Sequence, residues 1–266
     1  MLKTRVITAL FLAAGLLVVL FLAPPAVATI AFGLAAALAA WEWAGLMKVD
    51  SAGRWMYAAF ILICCLAAWY QPAFAFPKLW LLASAFWLVL APLWLKFRWQ
   101  LASNDILGYG VGWILVVPTW AAMAGLYAHS PWLLLAAMGL VWVADIAAYF
   151  SGRAWGRHKL AIAISPGKTW EGAGGAVFAV LVYGVVVAYS VDRLPDGTAL
   201  LMGLGALVVL TGISIVGDLF ESLIKRQAAV KDSSQLLPGH GGVLDRIDSL
   251  TATLPVVALA AYKILS

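Results

Sequence analysis

Apolar stretches recur along almost the whole chain. Each reaches or approaches the ~20 residues that a helix rising ~1.5 Å per residue needs to cross ~30 Å of hydrocarbon. Charged or Pro/Gly-rich punctuation divides them into nine candidate spans, at residues 6–22, 27–47, 55–71, 78–95, 107–128, 131–150, 172–190, 199–216 and 248–265. The runs are continuously apolar and do not alternate over ~10 residues, which selects helices over the strands of a membrane barrel. With 65% hydrophobic and 11% charged residues, against roughly 25% charged in soluble domains, a soluble fold is excluded. The expected fold is all-α and integral to the membrane: a polytopic bundle of about nine transmembrane helices whose cytoplasmic polar loops form the site.

Orientation follows from the basic residues, because cytoplasmic loops collect Lys and Arg. Nine spans with the N-terminus inside put 14 of the 17 Lys and Arg on one side and leave Lys78, Arg193 and Lys263 on the other. A miscounted span would scramble that bias. Residues 165–172 and 217–248 are therefore expected in the cytoplasm and 192–196 outside. The pI near 9.3 then reflects loop bias and contact with anionic lipid or phosphate, with no nucleic-acid motif present. Lys3, Arg5 and the apolar run after them have the look of a signal peptide, but Pro24-Pro25 leads straight into another span, so the run is expected to be the first anchor. Cys64 and Cys65 are adjacent inside a span, which suits packing and disfavours a disulfide or a metal site. Several Trp residues, including Trp41, Trp55, Trp80, Trp99, Trp132 and Trp155, fall near span ends as interfacial belt residues do.

Functional-group variety is concentrated in the C-terminal half, so residues 1–130 read as a transmembrane anchor region and 131–266 as the catalytic region of one continuous membrane domain. The segment from Gly217 to Arg226 continues a span into a polar helix, followed by Lys231-Asp232-Ser233, Pro238-Gly239-His240-Gly241-Gly242 and Asp245-Arg246-Ile247-Asp248. On a helix Asp218, Glu221 and Lys225 share one face, and Asp245 and Asp248 are likewise three apart. Each pair alone has a bland account, as a surface ion pair or a favourable helix start. Together they put several carboxylates and cations at the ends of membrane spans, where unpaired charge is expensive and usually functional. Carboxylates around a Gly-rich turn suit chemistry on a nucleoside triphosphate. Asp oxygens can hold Mg²⁺, Gly can expose backbone N–H groups to phosphate, and Lys and Arg can neutralise phosphate charge.

A second cluster begins with Asp145 inside a span and runs through Gly152, Gly156 and Lys159 to Ser165-Pro166-Gly167-Lys168-Thr169-Trp170-Glu171-Gly172. Asp145 either hydrogen-bonds a neighbouring helix or lines the site. Gly167-Lys168-Thr169 has the ending of a P-loop, but the earlier Gly that motif requires would stand where Ile162 is. Walker-type ATP binding is rejected. His129 and His158 have no partner at metal-ligand spacing, whereas His240 sits inside the Gly-rich turn.

These residues resemble the phosphatidate cytidylyltransferase (CDP-diacylglycerol synthase) family. The resemblance lies in Ser222, Lys225-Arg226, Lys231-Asp232, Pro238 to Gly242 and Asp245-Arg246-Ile247-Asp248, in Asp145 with its following Ala and Tyr, and in the Ser165–Gly172 run. It covers the C-terminal half; the N-terminal half matches in hydropathy alone. The family resemblance implies nucleotidyl transfer in phospholipid biosynthesis, in which the phosphate of phosphatidic acid attacks the α-phosphorus of CTP and pyrophosphate leaves. It further implies a Mg²⁺ requirement with an accompanying monovalent cation such as K⁺, a homodimer, and a multi-pass bacterial inner-membrane enzyme working on membrane lipid.

On that resemblance Asp218 and Asp245 are the first-choice metal ligands, with Glu221, Asp248 and Asp145 supporting or alternative. Lys168, Lys225, Arg226 and Arg246 are expected on the phosphates. Gly239, Gly241 and Gly242 would cradle the triphosphate, and Ser165, Lys231 and His240 complete the substrate-binding set. Two rivals are a lipid or polyprenol kinase, which would release nucleoside diphosphate, and a secondary transporter. Against the transporter, the charges gather at one end and no repeat or paired broken helix is present.

Overall fold

A computed structural model of the chain describes residues 2–69, 76–101, 106–191 and 196–265. In lipid every backbone polar group must be satisfied within its own segment, and the apolar runs accordingly form helices: α1 (Leu2–Phe21), α2 (Pro25–Leu46), α3 (Ser51–Trp69), α4 (Phe76–Ala85), α5 (Ala91–Phe97), α6 (Ile106–His129), α7 (Pro131–Trp155), α8 (Trp170–Ser190), α9 (Gly197–Gln227) and α10 (Leu244–Leu265). A π-helical turn over Phe86–Leu90 joins α4 to α5 as one rod. Among the described residues eight rods are long and apolar enough to cross a membrane, and α3 carries a shorter apolar run, Ser51–Ala67. Every predicted span falls on one of these nine rods; residues 70 and 71 of the third lie outside the described residues.

Prolines set two of the boundaries. Pro25 opens α2, and Pro131 opens α7 behind Ser130, whose hydroxyl accepts from Trp132 N. At N1 the missing N–H of proline costs nothing. The long α9 carries the predicted continuation of a span into a polar helix without a break.

The rods run alternately up and down. Trp43 Nε1 donates to Gly108 O at 2.8 Å, and Tyr57 OH donates to Tyr109 O at 2.8 Å, so the end of α2 and the starts of α3 and α6 meet. Gln227 Nε2 donates to Trp99 O at 2.9 Å, putting the ends of α5 and α9 together. At the opposite end, the rings of Phe21 and Trp132 lie 4.6 Å apart, and Trp80 packs on Tyr262. The alternation leaves Lys78 and Lys263 at that opposite end and the other described basic side chains at the first. Arg193 and residues 192–195 of the predicted outer loop lie outside the described residues.

Trp132 and Trp155 are exposed as belt residues should be, but Trp80 is 5% exposed and belongs to the core. Cys64 and Cys65 are free thiols, the second buried.

Two close approaches shape the polar end. A Cβ at Gly217 of α9 would lie 2.8 Å from Ala252 Cβ and 2.9 Å from Asp248 O of α10, so glycine there lets the helices touch and brings Asp218 beside Asp248. Gly172 of α8 does the same against Ala148 O of α7. Between α7 and α8 lies a two-stranded antiparallel hairpin, β1 (Lys159–Ala161) and β2 (Ser165–Thr169), with Lys159 opposite Thr169. The sequence pattern does not reveal it, because the strands are only three and five residues long, with no alternation long enough to register.

Candidate active site

The hairpin explains the Ser165–Gly172 run residue by residue. Thr169 ends β2 and caps α8, its Oγ1 accepting from Gly172 N at 3.1 Å. Glu171, in the first turn of α8, binds back to the start of the hairpin through His158 N at 3.2 Å and His158 Nδ1 at 2.6 Å. A carboxylate there also meets the positive end of the helix dipole. With its ends fastened, β2 projects Lys168 toward α9, where its Nζ lies 2.6 Å from Asp218 Oδ2.

A cavity of about 590 Å³ opens between α7, β2, α8, α9 and the start of α10. It brings together eight of the predicted residues: Asp145, Ser165, Lys168, Asp218, Lys225, Asp245, Arg246 and Asp248. Asp232 and Arg153, which the sequence reading did not single out for a role, also line it. Arg153 is steered by a hydrogen bond from its Nη1 to Tyr149 OH at 3.2 Å.

The α9–α10 side of this cavity is closely bonded. Lys225 Nζ lies 2.6 Å from Asp245 Oδ1 and 3.1 Å from Glu221 Oε2. The other oxygen of Asp245, Oδ2, accepts from Gly242 N at 2.8 Å, Ser233 N at 2.9 Å and Ser233 Oγ at 3.0 Å. Ser233 in turn reaches Glu42 Oε2 of α2 at 3.1 Å. Glu42 is wholly buried, and it also accepts from Ser234 Oγ at 2.6 Å, Val243 N at 2.9 Å and Leu244 N at 2.6 Å. It thereby satisfies amides at the start of α10 that the helix itself leaves without partners. A chain of charges and hydroxyls runs from Glu42 through Ser233, Asp245 and Lys225 to Glu221.

Glu42, like Asp232 and Arg153, is a residue that the sequence analysis did not bring to the site. The signal was present: a carboxylate inside an apolar span is functional or structural by default, the same rule that drew attention to Asp145.

The other predicted residues take different places. Glu221 sits behind the cavity wall, buried, with Oε1 lacking any hydrogen-bond partner. Arg226 turns away and donates to backbone oxygens, Ile164 O at 3.5 Å and Val230 O at 3.4 Å, fastening the end of α9 to the hairpin. Gly239 and Gly241 adopt φ of +76° and +81°, values that require glycine. The turn closes through His240 N to Leu237 O and Leu237 N to Gly241 O, both at 2.8 Å. Gly242 spends its amide on Asp245, while Lys231, Gly239, His240 and Gly241 line a neighbouring cavity.

Fit to a divalent ion can be judged from the oxygens left over. Asp218 is paired with Lys168 and Asp245 with Lys225. Asp145 has no ion-pair partner among the described residues, and Asp248 accepts from Ser249 N at 2.7 Å and lies against the buried Glu221 carboxyl. Asp145, Asp218 and Asp248 are close enough for their charges to repel one another. This all-oxygen, anionic donor set fits a hard divalent cation. Among the described residues no three His, Cys, Asp or Glu side chains are placed to hold a metal ion by themselves. A Mg²⁺ ion here would therefore need water or phosphate oxygens for its remaining ligands.

A membrane bundle that gathers carboxylates and lysines into a polar cavity, with a Gly-rich turn on the cavity beside it, suits a membrane enzyme acting on phosphate groups. The chain belongs to the cytidylyltransferase family, whose profile matches residues 3–264. It is 42% identical to the phosphatidate cytidylyltransferase of Pseudomonas aeruginosa over 272 residues, covering 97% of this chain and 96% of that one. It is 36% identical to the Haemophilus influenzae phosphatidate cytidylyltransferase over 299 residues, the full length of both. With the enzyme of that name from Brucella suis it shares 50% identity over 121 residues, 45% of this chain and 43% of that one.

Proposed function

We propose that this chain transfers the cytidylyl group of CTP to phosphatidate, forming CDP-diacylglycerol and pyrophosphate, in a bacterial inner membrane with its cavity facing the cytoplasm. What carries the reading is the single cavity in which Lys168, Lys225 and Arg246 face Asp145, Asp218 and Asp248, in a chain similar along its length to two phosphatidate cytidylyltransferases. An oxygen of the lipid phosphate attacks the α-phosphorus, the bond from that phosphorus to the α,β-bridging oxygen breaks, and pyrophosphate leaves with the electron pair. The attacking oxygen is already anionic, so no protein nucleophile or proton acceptor is required. Positioning and charge stabilisation then carry the rate, as in other phosphoryl-type transfers.

Mg²⁺, when bound, would supply positive charge to the phosphates; Asp218, Asp145 and Asp248 are the residues to hold it, with Glu221 behind them. Lys168 and Arg246 bind phosphate oxygens. Asp245 holds Lys225 and the Gly-rich turn in place; direct ligation by its Oδ1 would require Lys225 to move.

The cytoplasmic orientation rests on the basic asymmetry and on the gathering of helix ends around the cavity. A cysteine at exposed Gln235, in a chain with Cys64 and Cys65 replaced, should be labelled from the cytoplasmic face; labelling from outside in intact cells would reverse the topology. The homodimer rests on the family resemblance, and mass measurement in detergent tests it.

The reaction is tested by supplying CTP labelled at the α-phosphorus. Label should enter the lipid with one pyrophosphate released per transfer. Transfer of a γ-label into lipid with release of CDP would make the enzyme a kinase and overturn the proposal.

A further inference from the structure

Beside the first cavity lies a second, of about 460 Å³, and the two share Asp232 and Arg246. Its other lining includes Lys231, His240 and, from α1 at the far end of the sequence, Arg5. Arg5 is held there by its helix. Thr8, one turn on, donates from Oγ1 to Pro238 O at 3.1 Å, and a Cβ added to Gly239 would lie 3.0 Å from Arg5 Cγ. The Gly-rich turn and α1 are thus built against each other.

Among the described residues none of Arg5, Lys231 and Arg246 takes part in an ion pair, so three cations meet one carboxylate, Asp232. Nδ1 of His240 is buried and has no hydrogen-bond partner, although a buried ring nitrogen ordinarily finds one. Converging unpaired cations with an unused polar atom suit a compact, multiply charged anion with several acceptor oxygens.

We propose that this second cavity is a diphosphate subsite, completed by Arg5 of α1, that takes the β- and γ-phosphates of the nucleotide and holds them as pyrophosphate after transfer. The proposal rests on the cytidylyltransferase reading for the origin of the diphosphate. The position fits that reading, since Arg246 borders both cavities and can contact phosphate on either side of the bond that breaks. It also gives α1 a part in the chemistry: an otherwise lipid-facing helix brings one cation to the leaving group. The Gly239 and Gly241 conformations allow the backbone to run close beneath it.

Binding of inorganic pyrophosphate to the full-length protein in detergent, measured by calorimetry without CTP or lipid, tests the subsite independently of turnover. Arg5→Gln and Lys231→Gln should each weaken pyrophosphate binding about tenfold or more, the loss expected for a charge-assisted hydrogen bond. Product inhibition by pyrophosphate should weaken in parallel, while KM for phosphatidate holds. Arg5→Lys should restore part of the affinity, which a purely structural role for the α1 contact would not explain. Unchanged pyrophosphate affinity in both Gln variants, or none in the wild type, overturns the subsite. A raised KM for phosphatidate with pyrophosphate affinity intact assigns the cations to the lipid head group and also overturns it. Pyrophosphate binding that depends on Arg5, in a protein that moves no α-label into lipid, sinks the proposed reaction and leaves the subsite standing.

Discussion

The two sides of the main cavity are built differently. On the α9–α10 side, both oxygens of Asp245 and the ammonium of Lys225 are occupied by protein partners, and the buried carboxylate of Glu42 fixes the loop behind them. On the side facing α7 and β2, Asp145 stands without an ion-pair partner among the described residues, and Lys168 reaches across to Asp218, which lies on α9 but faces this side. The first side is a finished structure and the second has capacity to spare for substrates. Damage to the finished side should therefore cost both stability and turnover, whereas damage to the open side should cost turnover with the fold intact.

Asp218→Asn gives the largest effect expected with little loss of fold. Its side chain is 32% exposed, and Asn keeps the shape while removing the charge that suits the cation. Turnover should fall about 10²-fold or more, the scale seen when one preorganised electrostatic group is removed, with thermal unfolding in detergent nearly unchanged. Asp245→Asn should lose as much turnover and also unfold at a lower temperature. Breaking a buried ion pair on one side costs about 3–5 kcal/mol, and the Asp245 side chain is 3% exposed. Equal stability losses for the two variants would erase the distinction between the two sides.

Lys168→Ala should reduce kcat/KM by about 10- to 100-fold, the equivalent of one charged hydrogen bond, and leave unfolding unaffected. Glu42→Gln probes the finished side from behind. Each carboxylate oxygen of Glu42 accepts from a backbone N–H, Val243 N on Oε1 and Leu244 N on Oε2, so the amide NH₂ of Gln must face one of these fixed donors. An unsatisfied buried donor costs about 1–3 kcal/mol. Turnover should fall about tenfold through kcat, with faster hydrogen exchange at residues 233–244, and Glu42→Asp should not restore it because the shorter side chain cannot span the gap. Normal exchange in that loop would show that Glu42 does not position it. Arg226→Ala should have the smallest effect, a few-fold at most, because its two contacts are long bonds to backbone oxygens at 3.4 and 3.5 Å.

The contrast also explains what the sequence made legible. Every span could be placed because burial in lipid demands length and apolarity, which any window can sum. Asp218, Lys225, Asp245 and Asp248 stood out because charges at span ends are conspicuous against an apolar background. What could not be read is what depends on contacts distant in sequence. Glu42 meets Leu244 across 202 positions, and Arg5 meets the Gly-rich turn across more. Residues 1–130 offered only hydropathy, yet α1 and α2 each deliver a charged side chain to the polar end. The Ser165–Gly172 run was recognised as a motif, but its division into one cation and a set of fastenings at Thr169, Glu171 and Gly172 needed the hairpin. Arg226 reads like Lys225 in sequence; one position on a helix, about 100° of turn, sends it to the outside.

Direct attack of the lipid phosphate on CTP is the central claim, and the stereochemical course at the α-phosphorus tests it most directly. A CTP analogue made chiral at that phosphorus, turned over by the full-length protein in lipid vesicles, should give CDP-diacylglycerol of inverted configuration, because one in-line displacement inverts. Net retention would mean two displacements through a cytidylylated side chain and would contradict the account.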